Sequence, residues 1–263
     1  MVGFPQVLAG LYLFLLSSGA LADLKEGQLA YDSGNYNLAY SSWLPLAHEG
    51  NVVAQYNLAT LYRFGRGIEP SAITAMEWYQ KAAIQGHVLS QVNLGRLYQG
   101  GLGLGGNPFK ALVWFKLAAS QGSPFGEYYL GVQYLQGSGV KADLNLAKGL
   151  LLSAANQGVR EAAYELGRLY RYGVGLDIDG SEAFKWFRIG AQSGHPRCQN
   201  IMGGIYEEGI GTEPDMAKAY FWYALASVNG DSEAVIGRAR VMSELSPAEL
   251  NHIADVIEQW RRR

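Results

Sequence analysis

The stretch GGLGLGGNPF, residues 100–109, contains Gly101-x-Gly103-x-x-Gly106. That spacing is the fingerprint with which dinucleotide-binding proteins bring backbone amides up to a pyrophosphate. It needs a strand before it and a helix after it, and in a chain with 34 glycines the pattern alone is weak. Cys198 is the only cysteine. It excludes an internal disulfide and leaves three roles: a nucleophile, an intermolecular disulfide or a small packed side chain. The four histidines are His48, His87, His195 and His252, and none has another at i+4, the helical spacing of a zinc pair. Ser138 in QGSGV is flanked by glycines, but a nucleophile elbow follows a strand. The residues offer no acid–base pair and no metal cluster. Catalysis, a metal and a cofactor are therefore not expected; an enzyme acting on cell-wall material would need a catalytic pair that is missing.

Composition narrows the classes further. The chain has 263 residues and a net charge of −2, which excludes a broad polybasic surface for nucleic acid. Residues 1–22 carry no charged side chain, and VLAGLYLFLL is followed by Ala20-Leu21-Ala22. An apolar run of this length before an A-x-A site reads as a secretory signal peptide, and a periplasmic or secreted protein is expected. No Lys or Arg precedes the run, so an uncleaved anchor is the alternative, although a bilayer span needs about 20 apolar residues. No other segment reads as a membrane span.

What positions all of these side chains is an internal repeat. YNLATLYRFGRG at 56, VNLGRLYQGGLG at 92, YYLGVQYLQGSG at 128, YELGRLYRYGVG at 164 and NIMGGIYEEGIG at 200 align without a gap at a constant offset of 36. A second set, AMEWYQKAAIQG, ALVWFKLAASQG, AKGLLLSAANQG, AFKWFRIGAQSG and AYFWYALASVNG, begins at 75, 111, 147, 183 and 219. Leu58, Ala59 and Tyr62 share one side of a helix, as do Ala75, Trp78, Tyr79 and Ala82. Each unit is thus a helix pair, too short to bury its apolar faces alone, and such pairs stack into a solenoid.

Cap residues mark the helix starts. Ser71, Asn107, Asp143, Asp179 and Asp215 open the second helices, with side-chain oxygens suited to accept a free backbone N–H. The first helices open after Gly50, Gly86, Gly122, Gly158, Gly194 and Gly230. The expected organisation is a single solenoid over 23–263: a cap at 24–50, repeats at 51–86, 87–122, 123–158, 159–194 and 195–230, and a carboxyl-terminal cap at 231–263. Within it Gly101 and Gly103 recur as Gly65 and Gly67, Gly137 and Gly139, Gly173 and Gly175, Gly209 and Gly211. They follow a helix, so they read as a helix-pair hinge. Cys198 shares its slot with Ala54, Ser90, Gly126 and Ala162, and His87 and His195 share theirs with Asn51, Ser123 and Asp231. A packed small residue and two turn residues are expected there.

The pattern LGxxYxxGxG, a loop, then AxxWYxxAAxxG over 36 residues resembles the SLR family, the Sel-1-like repeats related to tetratricopeptide repeats. The resemblance implies an all-α fold, a right-handed α/α solenoid of stacked antiparallel helix pairs that binds proteins or peptides. It allows three roles: an adaptor in envelope or polysaccharide assembly, a periplasmic regulator, or an immunity protein that neutralises a type VI secretion effector such as a phospholipase. One branch of the family is stapled by paired cysteines in each repeat, which this chain lacks.

Stepping about 100° per residue from Leu58 puts Val53, Tyr56, Thr60 and Arg63 opposite the packed side. First helices line the concave surface of such solenoids, so these slots should face a partner. The face then comprises Tyr56, Arg63, Val92, Arg96, Phe125, Tyr128, Val132, Leu135, Tyr164, Arg168, Arg171, Asn200 and Arg240. An apolar centre, Phe125 to Leu135, is flanked by arginines, and aromatic and Arg side chains dominate interface hot spots. The expected partner is a protein segment with an apolar anchor and acidic flanks. The alternative is that neighbouring helices bury the apolar row and that Glu161, Glu207 and Glu233 occupy the arginines.

Overall fold

Thirteen-residue helices recur along the chain because most begin at a residue whose side chain caps them, Val159 before the helix Arg160–Tyr172 being an exception, and end where a glycine or a turn breaks them. The computed structural model describes residues 23–100, 105–175 and 177–262. The expected signal peptide at 1–22, and Gly101 and Gly103 of the fingerprint, lie outside the described residues. All regular structure among the described residues is helical. The chain divides into two compact units, with the boundary after Gly126.

The first unit holds α1 (residues 23–32), α2 (Tyr36–His48), α3 (Val52–Phe64), α4 (Ala72–Ile84), α5 (Val88–Gly100), α6 (Pro108–Ser120) and the start of α7 (Pro124–Gln136). The second holds the rest of α7, then α8 (Leu144–Asn156), α9 (Arg160–Tyr172), α10 (Gly180–Gln192), α11 (Pro196–Glu208), α12 (Met216–Val228), α13 (Ser232–Met242) and α14 (Pro247–Arg261). Helix starts keep strict phase. The first helices of the repeats begin at 52, 88, 124, 160, 196 and 232 and the second helices at 72, 108, 144, 180 and 216.

The caps act as the sequence predicts. The side chains of Ser71, Asn107, Asp143, Asp179 and Asp215 each accept from a backbone N–H in the first turn of their helix. Gly65, Gly173 and Gly209 close α3, α9 and α11 in the left-handed conformation, with φ of 63°, 65° and 69°. A side chain there would strain the backbone. The first glycine of the recurring pair is therefore a helix stop in these repeats.

Within each unit the core forms where the alanines of second helices let first helices approach. Ala75 and Ala111 in the first unit and Ala147, Ala183 and Ala219 in the second are all buried. Four residues on stands an aromatic ring, or Leu151 after Ala147, and in several repeats the ring presses against a glycine of the preceding helix. A Cβ on Gly95 would come within 2.5 Å of the Phe115 ring, and one on Gly167 within 2.6 Å of Phe187. Amide clamps lie across the helix ends. In the first unit Gln55 Nε2 donates to the Ala47 carbonyl at 3.1 Å while its Oε1 accepts from Gln85 at 2.9 Å. Gln91 repeats the pattern with Ala83 and Gln121. In the second unit Gln199 bonds Ala191 and Asn229, and Gln157 donates to Glu127 at 2.8 Å. Gln133 differs: it is 0% exposed, and neither amide atom has a hydrogen-bond partner.

The first and the last described helices each pack aromatic residues. In the first unit the Arg66 guanidinium lies 5.1 Å from the Tyr31 ring and 5.6 Å from Tyr36. In the second, Trp260 of α14 meets Phe221 and Trp222 edge-on, each at 5.7 Å, and a Ser246–Glu249 capping box starts α14. No described helix is long and apolar enough to cross a membrane.

Candidate partner-binding cleft in the second unit

The first helices α9, α11 and α13 start in phase, so equivalent residues of successive repeats meet at their amino-terminal turns. There they line a cleft of ≈ 680 Å³. One column is Tyr128, Tyr164 and Asn200; a second is Glu161, Arg197 and Glu233; the caps His195 and Asp231, with Glu165, complete the polar lining.

Each polar group has a local reason for its place. His195 caps α11: its Nδ1 accepts the Cys198 N–H at 3.3 Å. The ring stacks on Tyr164 at 4.8 Å with an interplanar angle of 13°. Burial holds the imidazole below its ordinary pKa, with Arg160 and Arg197 acting in the same direction and Glu161 and Asp231 opposing. The neutral ring is the form that can cap, because an imidazolium has no acceptor. Asp231 Oδ1 accepts the N–H groups of Glu233 and Ala234 at 3.0 and 3.1 Å and so caps α13. Glu161 pairs with Arg160 at 3.2 Å and Glu165 with Arg168 at 3.1 Å. Burial nevertheless raises the Glu165 carboxyl above its usual range, because desolvation outweighs Arg168. The Tyr164 side chain beside it holds the Arg197 guanidinium above its ordinary range.

The structure sorts the expected face residues. Tyr128, Tyr164 and Asn200 line the cleft. Val132 and Leu135 pack against the core around Leu151, Leu166 and Trp186. Arg168 is held by Glu165, the Arg171 guanidinium lies 5.7 Å from the Tyr172 ring, and Arg240 pairs with Glu207. In the first unit Tyr56 is half-buried with its ring 4.8 Å from His87, and Arg63 donates to Asn93 at 2.8 Å. Arg96 and Phe125 are exposed. Val92 is a correction. It is only 6% exposed, because valine lacks the length with which tyrosine reaches the surface from the same slot.

The charge expectation is corrected as well. Of the arginines on the expected face, Arg63 bonds to Asn93, Arg168 to Glu165 and Arg240 to Glu207, all within the chain itself. The cleft is lined instead by four carboxylates and one guanidinium. Glu165 and Asp231 were absent from the expected face. Their signal was available: Asp231 shares the cap slot of His195, and Glu165 lies one helical turn beyond Glu161. Cys198 is fully buried, with burial pushing its thiol well above the ordinary range. It sits where a Cβ on Gly190 would approach its Sγ to 2.5 Å, so it is a packed small residue with no access to substrate. His87 and His195 are cap residues, as expected.

The helix phase, the caps and the glycine stops are those of one repeat type, and the Sel1 repeat profile matches residues 52–87, 88–123, 124–159, 160–195 and 196–231. The chain belongs to the Sel1-repeat family. Sel1 repeats imply protein–protein interaction, and their family is in general a non-catalytic scaffold. This Sel1-repeat chain is similar to a solved Sel1 repeat protein from Oxalobacter formigenes, at 29% identity and TM-score 0.77, covering 90% of this chain and 99% of that one. It is also similar to c5321, a protective antigen of uropathogenic Escherichia coli with an SLR fold, at 26% identity and TM-score 0.79 over 93% of this chain. This chain spans 54% of that longer protein. The immunity protein Pa5087 of Pseudomonas aeruginosa shares the fold at 22% identity and TM-score 0.55, over 81% of this chain and 83% of its own. No curated protein sequence matches the chain.

Proposed function

We propose that this Sel1-repeat protein is an exported, non-enzymatic scaffold, adaptor or regulator in the periplasm, that binds a partner protein through the cleft of its second unit. The observation that carries the reading is the cleft itself: ≈ 680 Å³ at the first-helix turns, built from matching slots of successive repeats, with tyrosines and charged groups in its walls. That volume is typical of sites that hold a ligand group. The uncharged, apolar start of the chain, residues 1–22, supports export.

A photo-crosslinking amino acid at Asn200, compared with one at Lys185 on the second-helix face, tests the reading in the full chain expressed in its own host. A discrete crosslinked protein from Asn200 and none from Lys185 is expected, in the periplasmic fraction. Equal labelling from both, or none from Asn200, refutes the cleft as the binding site. The special case of an immunity role requires that the crosslinked protein be a secreted effector, of the phospholipase type, whose activity falls on adding this chain. It draws on exported, groove-bearing design and on a fold shared with Pa5087.

A further inference from the structure

We infer that the cleft of the second unit seats a cationic side chain, lysine or arginine, of the partner. This rests on the reading that the cleft is a protein-binding site. Four carboxylates, Glu161, Glu165, Asp231 and Glu233, line it against a single guanidinium, Arg197, and His195 is held neutral by its capping role. The net lining charge is four negative against one positive. Arg160 and Arg168 pair with Glu161 and Glu165 but are outside the lining. A carboxylate has about four acceptor sites, so one ion pair leaves each of these able to accept more. Asp231 spends only Oδ1 on its cap. The Glu233 carboxylate makes no hydrogen bond or ion pair among the described residues.

The geometry selects the kind of cation. Among the described residues no three His, Cys, Asp or Glu side chains converge closely enough to hold a metal ion. The carboxylates are spread along the walls, which suits an extended organic cation with several donors. The Tyr128 ring stands in the same lining. An acidic partner segment, by contrast, would face like charges.

The test uses three fluorescein-labelled short peptides, identical Gly/Ser/Leu hosts with Arg, Gln or Glu at the centre, titrated with the full chain at low salt and followed by anisotropy. The Arg peptide is expected to bind roughly tenfold more tightly than the Gln peptide and the Glu peptide more weakly still, with the spread narrowing as salt rises. In the Glu161→Gln, Glu233→Gln double variant the Arg peptide should drop to the level of the Gln peptide while the melting temperature is kept. No binding by any peptide up to millimolar, a Glu peptide equal to the Arg peptide, or an unchanged preference in the double variant overturns the inference. These outcomes separate from those of crosslinking. A partner captured at Asn200 with no charge preference defeats only the cation reading. Arg preference with no partner captured defeats the proposed function.

Discussion

Replacing Gln133 by leucine should stabilise the protein. The residue lies on α7 at the slot held by Leu61, Leu97 and Leu169 in other repeats, all of them buried. Its own side chain is 0% exposed, and both amide atoms lack a partner. A buried polar group left unsatisfied costs about 1–3 kcal/mol. Leucine removes that cost at nearly the same volume and adds the transfer energy of an apolar side chain, so a gain of about 1–3 kcal/mol is expected. For a chain of this size each kcal/mol is worth roughly 2–4 °C in melting temperature. Circular dichroism during thermal and urea unfolding measures it. Repeat arrays can unfold in parts, so amide exchange of α7 is the second readout, and protection should rise there first. The reciprocal change, Leu169→Gln, should cost at least as much as Gln133→Leu gains. An unchanged or lower melting temperature for Gln133→Leu would refute the reasoning, because it would mean that the amide is bonded within its slot.

Three further predictions follow from the same structure. His87 and His195 are both held below their ordinary pKa by burial; their unfolded counterparts take up protons first, so stability is full above about pH 6.5 and falls as pH drops through that value toward the folded pKa. His195→Asn, which keeps a capping oxygen and cannot titrate, should flatten part of that slope in pH-dependent urea melts. Gly167→Ala drives a Cβ to 2.6 Å from the Phe187 ring and should cost about 1–3 kcal/mol by overpacking, whereas Ala59, already an alanine at the matching slot, should tolerate serine better in the same assay. Asp143→Ala removes the side chain that accepts the Leu146 N–H at 3.0 Å and should lower stability by ~1 kcal/mol.

The fold was legible because each level of the sequence repeats the same message at the same interval. Ser71 and its four equivalents mark where second helices start, and the glycine after each first helix marks where it stops. The candidate site was legible only in part. A helical wheel ranks directions and ignores reach, so it placed Val92 beside Tyr56 and Tyr128 although the shorter side chain is submerged. It also counted the arginines without their partners. Arg240 and Glu207 are 33 residues apart, and Arg63 reaches Asn93 across 30; neither distance is a multiple of the repeat. The amide clamps were missed for that reason, since Gln55 pairs with Gln85 at a spacing of 30. Reading the two glutamine columns together, 55 with 91 and 85 with 121, would have disclosed them. The buried Gln133 could have been suspected from the leucines that flank it in register.

The unbroken phase of the helix starts has a bearing on how such a chain changes in length. Cutting or duplicating one matched segment, such as 160–195, joins one turn to its counterpart in another repeat, so the helix starts stay in phase across the join. An interval that is not a whole number of repeats breaks that phase. For this protein the natural step of variation is therefore a whole repeat, and a partner-binding surface can be extended or trimmed in such steps while the residues between them remain as they are.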